Sequence, residues 1–293
     1  AAIYKIACIG SVVTENQNKG LSSKILSDCL EAARAEDCDF ALLWTDLYDF
    51  YRKIGFELAG AEIAFIIDSD LPEGACAKNR IVQGNKIDPN AFLRVFQKHS
   101  VCSVRSVKDV SKFLNIPNSR VFTSWNDKRQ MQAYAVEGKG ADLQNYIHEW
   151  GGDISSLYQL FNTIRKERGQ DMNVLMPYHS QNIIRDLTEK GFRSHFGYLG
   201  MFKVLNPANT IPKLQKYLNS GLQRTDINLS QVPDGKLKLK TNASSLVFDE
   251  TELTQLMFGP KVPEVFTNLN SQDYDQICAV LPMPIWIWGW DSV

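Results

Sequence analysis

Three groups of residues in this chain have the types and spacing that chemistry needs. The first is Val12-Val13-Thr14-Glu15-Asn16-Gln17-Asn18-Lys19-Gly20-Leu21-Ser22-Ser23. An apolar run over 6–13 leads into it and an amphipathic pattern over 21–35 follows, so it reads as strand, polar turn and helix start. The first turn of a helix leaves backbone N–H groups unpaired, and its dipole favours an anion there. Gly20 has no Cβ to hold a phosphate away from that backbone. The second group is Phe50-Tyr51-Arg52-Lys53-Ile54-Gly55-Phe56, behind an apolar run over 40–44, with Trp44, Asp46, Tyr48 and Asp49 at the junction. The third is His148-Glu149. It invites a metal or acid–base reading, but Gly152 stands four residues on, so the paired-histidine metal motif is absent. His148 therefore reads as structural, as do the isolated His179 and His195.

The first two groups together resemble the GCN5-related N-acetyltransferase (GNAT) family. Its fingerprint is roughly V-x-P-x-x-Q/R-x-x-G-x-G/A, and Val12, Gln17 and Gly20 fall at matching positions. Thr14 stands for the usual proline and Ser22 for the usual Gly or Ala. The second family signature, an aromatic and Tyr followed by x-K-x-G-F, is intact at 50–56. The resemblance implies acetyl-CoA as co-substrate and no metal. Val12 and Val13 would offer backbone groups to its pantetheine arm, and Gln17, Asn18, Lys19, Gly20, Leu21, Ser22 and Ser23 would hold its pyrophosphate. Tyr51 matches the tyrosine that protonates the leaving thiolate; an unperturbed phenol titrates at about 10, within reach of that task. Trp44 and Tyr48 would line the acceptor pocket. The base is open: Asp46 or Asp49 directly or through water, with helix capping the plainer role for Asp46, or the C-terminal carboxylate of Val293.

Those residues need elements to position them, and the chain has room for two domains in 293 residues, 44% hydrophobic. A net charge of −1 gives no global field for nucleic acid or anionic lipid. No apolar run approaches the roughly 20 residues that span a bilayer. Ala1-Ala2-Ile3-Tyr4-Lys5 lacks the charged lead and apolar core of a signal peptide. Cys8, Cys29, Cys38, Cys76, Cys102 and Cys278 are scattered without a C-x-x-C pair, which suits a reducing cytoplasm. Cys8 and Cys29 sit in apolar patterns and read as buried thiols.

An internal repeat organises the whole. Residues 38–44 then 51–56 align with 170–176 then 187–192, each a buried strand, a helix closed by glycine (Gly55, Gly191) and a phenylalanine entering a new strand. The reading is an α/β chain of two GNAT-like mixed-sheet units. Residues 1–78 are expected to be the C-terminal half of a first, cofactor-binding unit, whose early strands and helices either precede the sequence, the favoured reading, or come from elsewhere. Residues 79–206 form a second, degenerate unit: strand 80–87, helices 89–99 and 107–114, hairpin 120–125 and 131–136, central strand 143–150, helix 154–168, strand 172–176, helix 180–190 and closing strands over 192–204. There Glu149 and Asp153 at a helix start would cap it themselves and repel a phosphate, and Leu187 stands where Tyr51 does. Residues 207–293 are a small α+β extension. It has a helix over 212–222, short strands over 237–240 and 245–248 with Lys236, Lys238 and Lys240 on one side, and a helix over 250–258. Its aromatic tail carries Trp286, Trp288 and Trp290, which must be buried.

The function these readings imply is acetyl transfer to an amine of a small molecule or peptide. The partners are that acceptor and no nucleic acid or membrane, with homo-oligomerisation open. Two alternatives stand beside it. One is a non-catalytic CoA-sensing or partner-binding module. The other is a tandem-GNAT aminoacyl transferase acting on tRNA, against which the net charge argues.

Overall fold

The computed structural model describes residues 2–15, 20–74, 78–224 and 226–292. The chain begins with β1 (Ile6–Cys8), α1 (Leu21–Ala35), β2 (Phe40–Leu43), α2 (Tyr48–Arg52), β3 (Glu57–Ala59) and β4 (Glu62–Ile67). Then come β5 (Arg80–Gln83), α3 (Pro89–Phe96), α4 (Val107–Phe113), β6 (Arg120–Trp125), β7 (Met131–Lys139) and β8 (Asp142–Gly152). Next are α5 (Ile154–Arg168), β9 (Met172–Pro177), α6 (Gln181–Glu189), β10 (Ser194–Gly197) and β11 (Gly200–Val204). The last are α7 (Pro207–Leu222), β12 (Asn228–Gln231), β13 (Leu237–Lys240), β14 (Ser245–Phe248), α8 (Glu250–Phe258) and α9 (Ser271–Val280). Local chemistry sets the helix starts: Asp88 and Pro89 open α3, and capping boxes open α4 (Ser106, Asp109) and α8 (Asp249, Glu252). No helix among the described residues is long and apolar enough to cross a membrane.

The chain forms two compact units, neither continuous in sequence. The first gathers Ala1–Ala61 and Tyr198–Pro284. Its sheet runs β1-β2-β11-β3, with β1 and β2 parallel and β11 antiparallel to both its neighbours. Leu26, Leu30 and Ala33 of α1 pack on Ala41, Leu43 and Met201 of one sheet face, with Tyr51 and Phe56 beside them. On the other face Phe40 and Phe202 meet Phe258 of α8, ring centroids 5.0 and 5.3 Å away. The extension belongs here as far as Pro284. Its antiparallel sheet β12-β13-β14 buries Leu229, Leu237, Leu239, Leu246 and Phe248 and leaves Lys240 exposed, the one-sided pattern expected of 237–240.

The second unit gathers Glu62–Gly197 and Ile285–Ser292. Its sheet runs β10-β4-β9-β8-β7-β6-β5. β8 and β9 are parallel and pair at Tyr146 with Asn173 and Ile147 with Val174, after which they part. The tail tryptophans Trp286, Trp288 and Trp290 are buried, as their composition requires.

Two features differ from the sequence reading. β4 pairs in the sheet of the second unit and β11 in that of the first, although each follows in sequence a strand of the other sheet. Both are apolar strands behind two-residue connections, and a hairpin-like pattern does not say which sheet will take its second strand. β11, with Met201, Phe202 and Val204 buried, has the near-continuous apolar character of an interior strand. Cys29 is exposed on α1 and Cys8 half-buried, where both were expected to be buried; Cys38 is the buried thiol of this region. Residue 29 lies on the outward face of a helix whose buried stripe is Leu26, Leu30 and Ala33.

The repeat is visible in matched backbone bonds. The Phe56 N–H donates to the Tyr51 carbonyl at 3.1 Å, and the Phe192 N–H to the Leu187 carbonyl at 3.1 Å. Gly55 and Gly191 lie between, at φ +85° and +81°.

Candidate functional site

In the first unit β1 and β2 run parallel, so their C-terminal ends open at the same edge, the place where open α/β sheets receive ligands. Pairing runs from Ile6 with Phe40 to Cys8 with Leu42, and the Ile9 N–H adds a bond to the Leu42 carbonyl at 2.8 Å. Val12 and Val13 lie beyond this last rung, with Val13 79% exposed. Among the described residues neither makes a backbone hydrogen bond.

α1 starts at Gly20, which sits in the left-handed region at φ +70°. Among the described residues no side chain caps this helix, and no acid stands in its first turn. The Lys24 N–H turns inward to the Gly20 carbonyl at 3.1 Å. The amides of Leu21, Ser22 and Ser23 precede it, among the orphan donors of a helix start. A Cβ built on Gly20 would meet nothing within 4 Å among the described residues. Thr14 and Ser22, the two departures from the family fingerprint, come together, their hydroxyl oxygens 3.3 Å apart. Gln17, Asn18 and Lys19 lie outside the described residues, as does Val293.

An apolar rim surrounds this edge: Val13, Leu21, Ile25, Trp44, Leu47 and Tyr48 are all exposed. Asp46 is exposed and does not cap α2. The N-cap position is Leu47, whose N–H is taken by the Thr45 hydroxyl at 3.0 Å. A threonine two residues ahead serves the turn, which leaves the Asp46 carboxylate in water. Asp49 is ion-paired with Arg52 at 3.5 Å. Tyr51 is 8% exposed among Leu26, Leu30 and Phe56. Its ring meets Phe50 and Phe56 edge to face at 5.0 and 5.9 Å, and burial pushes its phenol above the usual 10. Leu187, at the matching place of the second unit, is fully buried. This position packs a core in both halves.

The second unit closes the corresponding edge. The Asp153 side chain accepts the Ser156 N–H at 2.9 Å and so caps α5, as the sequence implied. Glu149 does not share that task. It lies on β8, fully buried, and takes two bonds from Arg105 at 2.9 and 3.0 Å. The strand bulges here: Ile147 pairs with Glu137 and Glu149 with Val136, leaving His148 as the extra residue. The Trp150 indole N–H donates to the Leu175 carbonyl at 2.8 Å, across the gap where β8 and β9 part. His148 is buried, His179 half-buried and His195 exposed, none with a metal-ligating neighbourhood among the described residues. Sequence reasoning missed Glu62. It opens β4 between Pro177 and Gly197, and burial pushes its carboxyl up to about 7. No local pattern in the sequence signals it, because its burial comes from the fold.

No protein-family model and no curated protein matches the chain. Solved structures do. A GCN5-related N-acetyltransferase from Kribbella flavida aligns over 96% of this chain and 79% of its own, with TM-score 0.64 and 13% identity. A probable N-acyltransferase from Enterococcus faecalis aligns over 98% and 80%, with TM-score 0.59 and 14% identity. The chain has the GNAT fold. Eis1 from Mycobacterium abscessus shares it, over 100% of this chain and 84% of its own at TM-score 0.55 and 9% identity. At such identities the GNAT likeness is one of architecture, and the residues of the site stand on their own geometry.

Proposed function

We propose that the chain is an acetyl-CoA-dependent N-acetyltransferase whose first unit holds the co-substrate and whose acceptor is an amine of a small molecule or peptide. The observation that carries this reading is the start of α1, which among the described residues has no side-chain cap and no acid in its first turn, beside a strand continuation whose backbone makes no hydrogen bond among those residues. The amides of Leu21, Ser22 and Ser23 suit a diphosphate, and the backbone of Val12 and Val13 suits an extended amide-bearing arm. Acetyl-CoA supplies an activated acyl group as a thioester. The exposed Trp44 and Tyr48 give the acceptor an apolar wall, and the phenol of Tyr51 holds the proton that the departing sulfur requires.

Calorimetry tests the first step. Micromolar CoA binding is expected, and no heat at millimolar CoA overturns the reading. Tyr51→Phe tests the second. Turnover is expected to fall about 100-fold with CoA affinity kept within twofold, and unchanged turnover removes Tyr51 from the reaction. A second reading, a CoA-binding module without turnover, draws on the burial of Tyr51 at a core position shared with Leu187. It expects CoA binding and no acetyl transfer to any amine offered.

A further inference from the structure

The segment Ile285–Ser292 runs through the second unit over two histidines. The Trp288 ring lies 4.3 Å from that of His99 and edge-on to Trp150 at 5.3 Å. Gly289 sits on His148 so closely that a Cβ there would fall 1.9 Å from Nδ1. Trp290 rests against Phe92 and Phe113 at 5.1 and 5.8 Å and donates its indole N–H to Ser119 at 3.1 Å.

Each histidine has one nitrogen against a carbonyl: His99 Nε2 is 2.9 Å from the Trp150 oxygen, and His148 Nε2 is 3.0 Å from the Gly138 oxygen. A carbonyl accepts only, so Nε2 carries the proton of each neutral ring. His148 Nδ1 is then a bare lone pair, buried and without a hydrogen-bond partner among the described residues, facing Gly289. A second proton on that ring would point at a Cα with no acceptor.

The other charged groups around the segment hold it down. Asp291 accepts from Arg105 at 2.6 Å and from Ser103 at 2.7 Å, and Arg105 also grips Glu149. Lys139 donates to the Gly289 carbonyl at 2.9 Å and to the Ser292 carbonyl. Glu137, facing His148 from β7, is occupied by Arg120 and Arg168, and His179 faces His99.

We propose that Ile285–Ser292 is an acid-released strap: protonation of His148 and His99 expels it from the second unit while the sheet beneath stays folded. Burial holds both imidazoles down at about 4, below the ordinary 6.5. A histidine whose pKa is depressed in place stabilises the closed strap fully above 6.5 and loses that contribution as pH falls from 6.5 towards 4. The strap is therefore shut at neutrality and opens on acidification.

Hydrogen exchange on the whole chain between pH 7 and 4, corrected for the intrinsic rate, tests this. Peptides over 285–292 are expected to lose protection while β6, β7 and β9 keep theirs. In His148→Gln, which still has an amide to offer Gly138 but cannot gain a proton, the midpoint moves at least 0.5 pH lower. His99→Gln does the same and serves where the first variant folds poorly. Strap and sheet opening together in the wild type, or midpoints unmoved in both variants, overturns the proposal.

Discussion

Two helices of 15 residues each, α1 and α5, follow the first strand of a parallel pair, one in each unit, and their first turns could hardly differ more. α1 begins at a glycine with, among the described residues, no atom crowding its Cβ position and no side-chain cap. α5 begins behind Asp153, which caps it, and behind Gly152, which is wedged against β7. The gap beyond the last β8–β9 rung is bridged by Trp150, whereas the β1 continuation at Val12 and Val13 makes no backbone hydrogen bond among the described residues. A helix start is a site for an anion only where the chain has not already satisfied it. The same architecture therefore starts one helix on a glycine and the other behind a capping aspartate, the contrast on which the proposed co-substrate site rests.

Removing what seals the second unit should give the largest effect. Arg105→Met leaves Glu149 buried without its counter-ion and is expected to lower unfolding free energy by about 3–5 kcal/mol in urea titrations. A loss below about 1 kcal/mol would mean that the ion group is not what closes this unit. Next come the two glycines. A Cβ at Gly152 would lie 2.2 Å from the Gln132 carbonyl and 2.5 Å from the Ala133 Cα, so Gly152→Ala should cost about 3 kcal/mol. Gly20→Ala meets none of the described atoms and is expected to bear the left-handed backbone cost, about 1 kcal/mol. Equal losses would erase the contrast between the two starts. The smallest effects are the sharpest. Asp153→Ala should cost about 1 kcal/mol and leave CoA stoichiometry at one per chain by calorimetry. Ser22→Glu should leave stability almost unchanged and weaken CoA at least tenfold, because an acid in the first turn occupies the field an anion needs. A second CoA bound by Asp153→Ala would show that capping alone separates the halves.

Much of this was legible in the residues. The order of strands and helices over 80–204 follows hydrophobic periodicity and glycine punctuation, and of the two acids expected to cap α5, Asp153 does so. The burial of three closely spaced tryptophans follows from their bulk. The strand exchange was not legible, since the pattern of 200–204 specifies a buried strand and not its neighbours. Nor was the part played by Glu149. Adjacent to His148 it looked like a helix-start acid, but a one-residue bulge turns it into the partner of Arg105, forty-four positions away. Asp46 failed for the opposite reason: Thr45, one residue earlier, takes the turn's N–H. Glu62 was invisible because its titration near neutrality comes from burial, which no local pattern encodes.

The route of the chain has a consequence for how the molecule can be made. The polypeptide leaves the first unit after Ala61, returns at Tyr198 and leaves again after Pro284. β2 and β3 bracket a strand that emerges from the ribosome some 140 residues after them. Until then the sheet has a slot at its centre, and closing it demands contacts distant in sequence, which slows folding. No single cut separates the units, and neither can mature before translation of the other is nearly done.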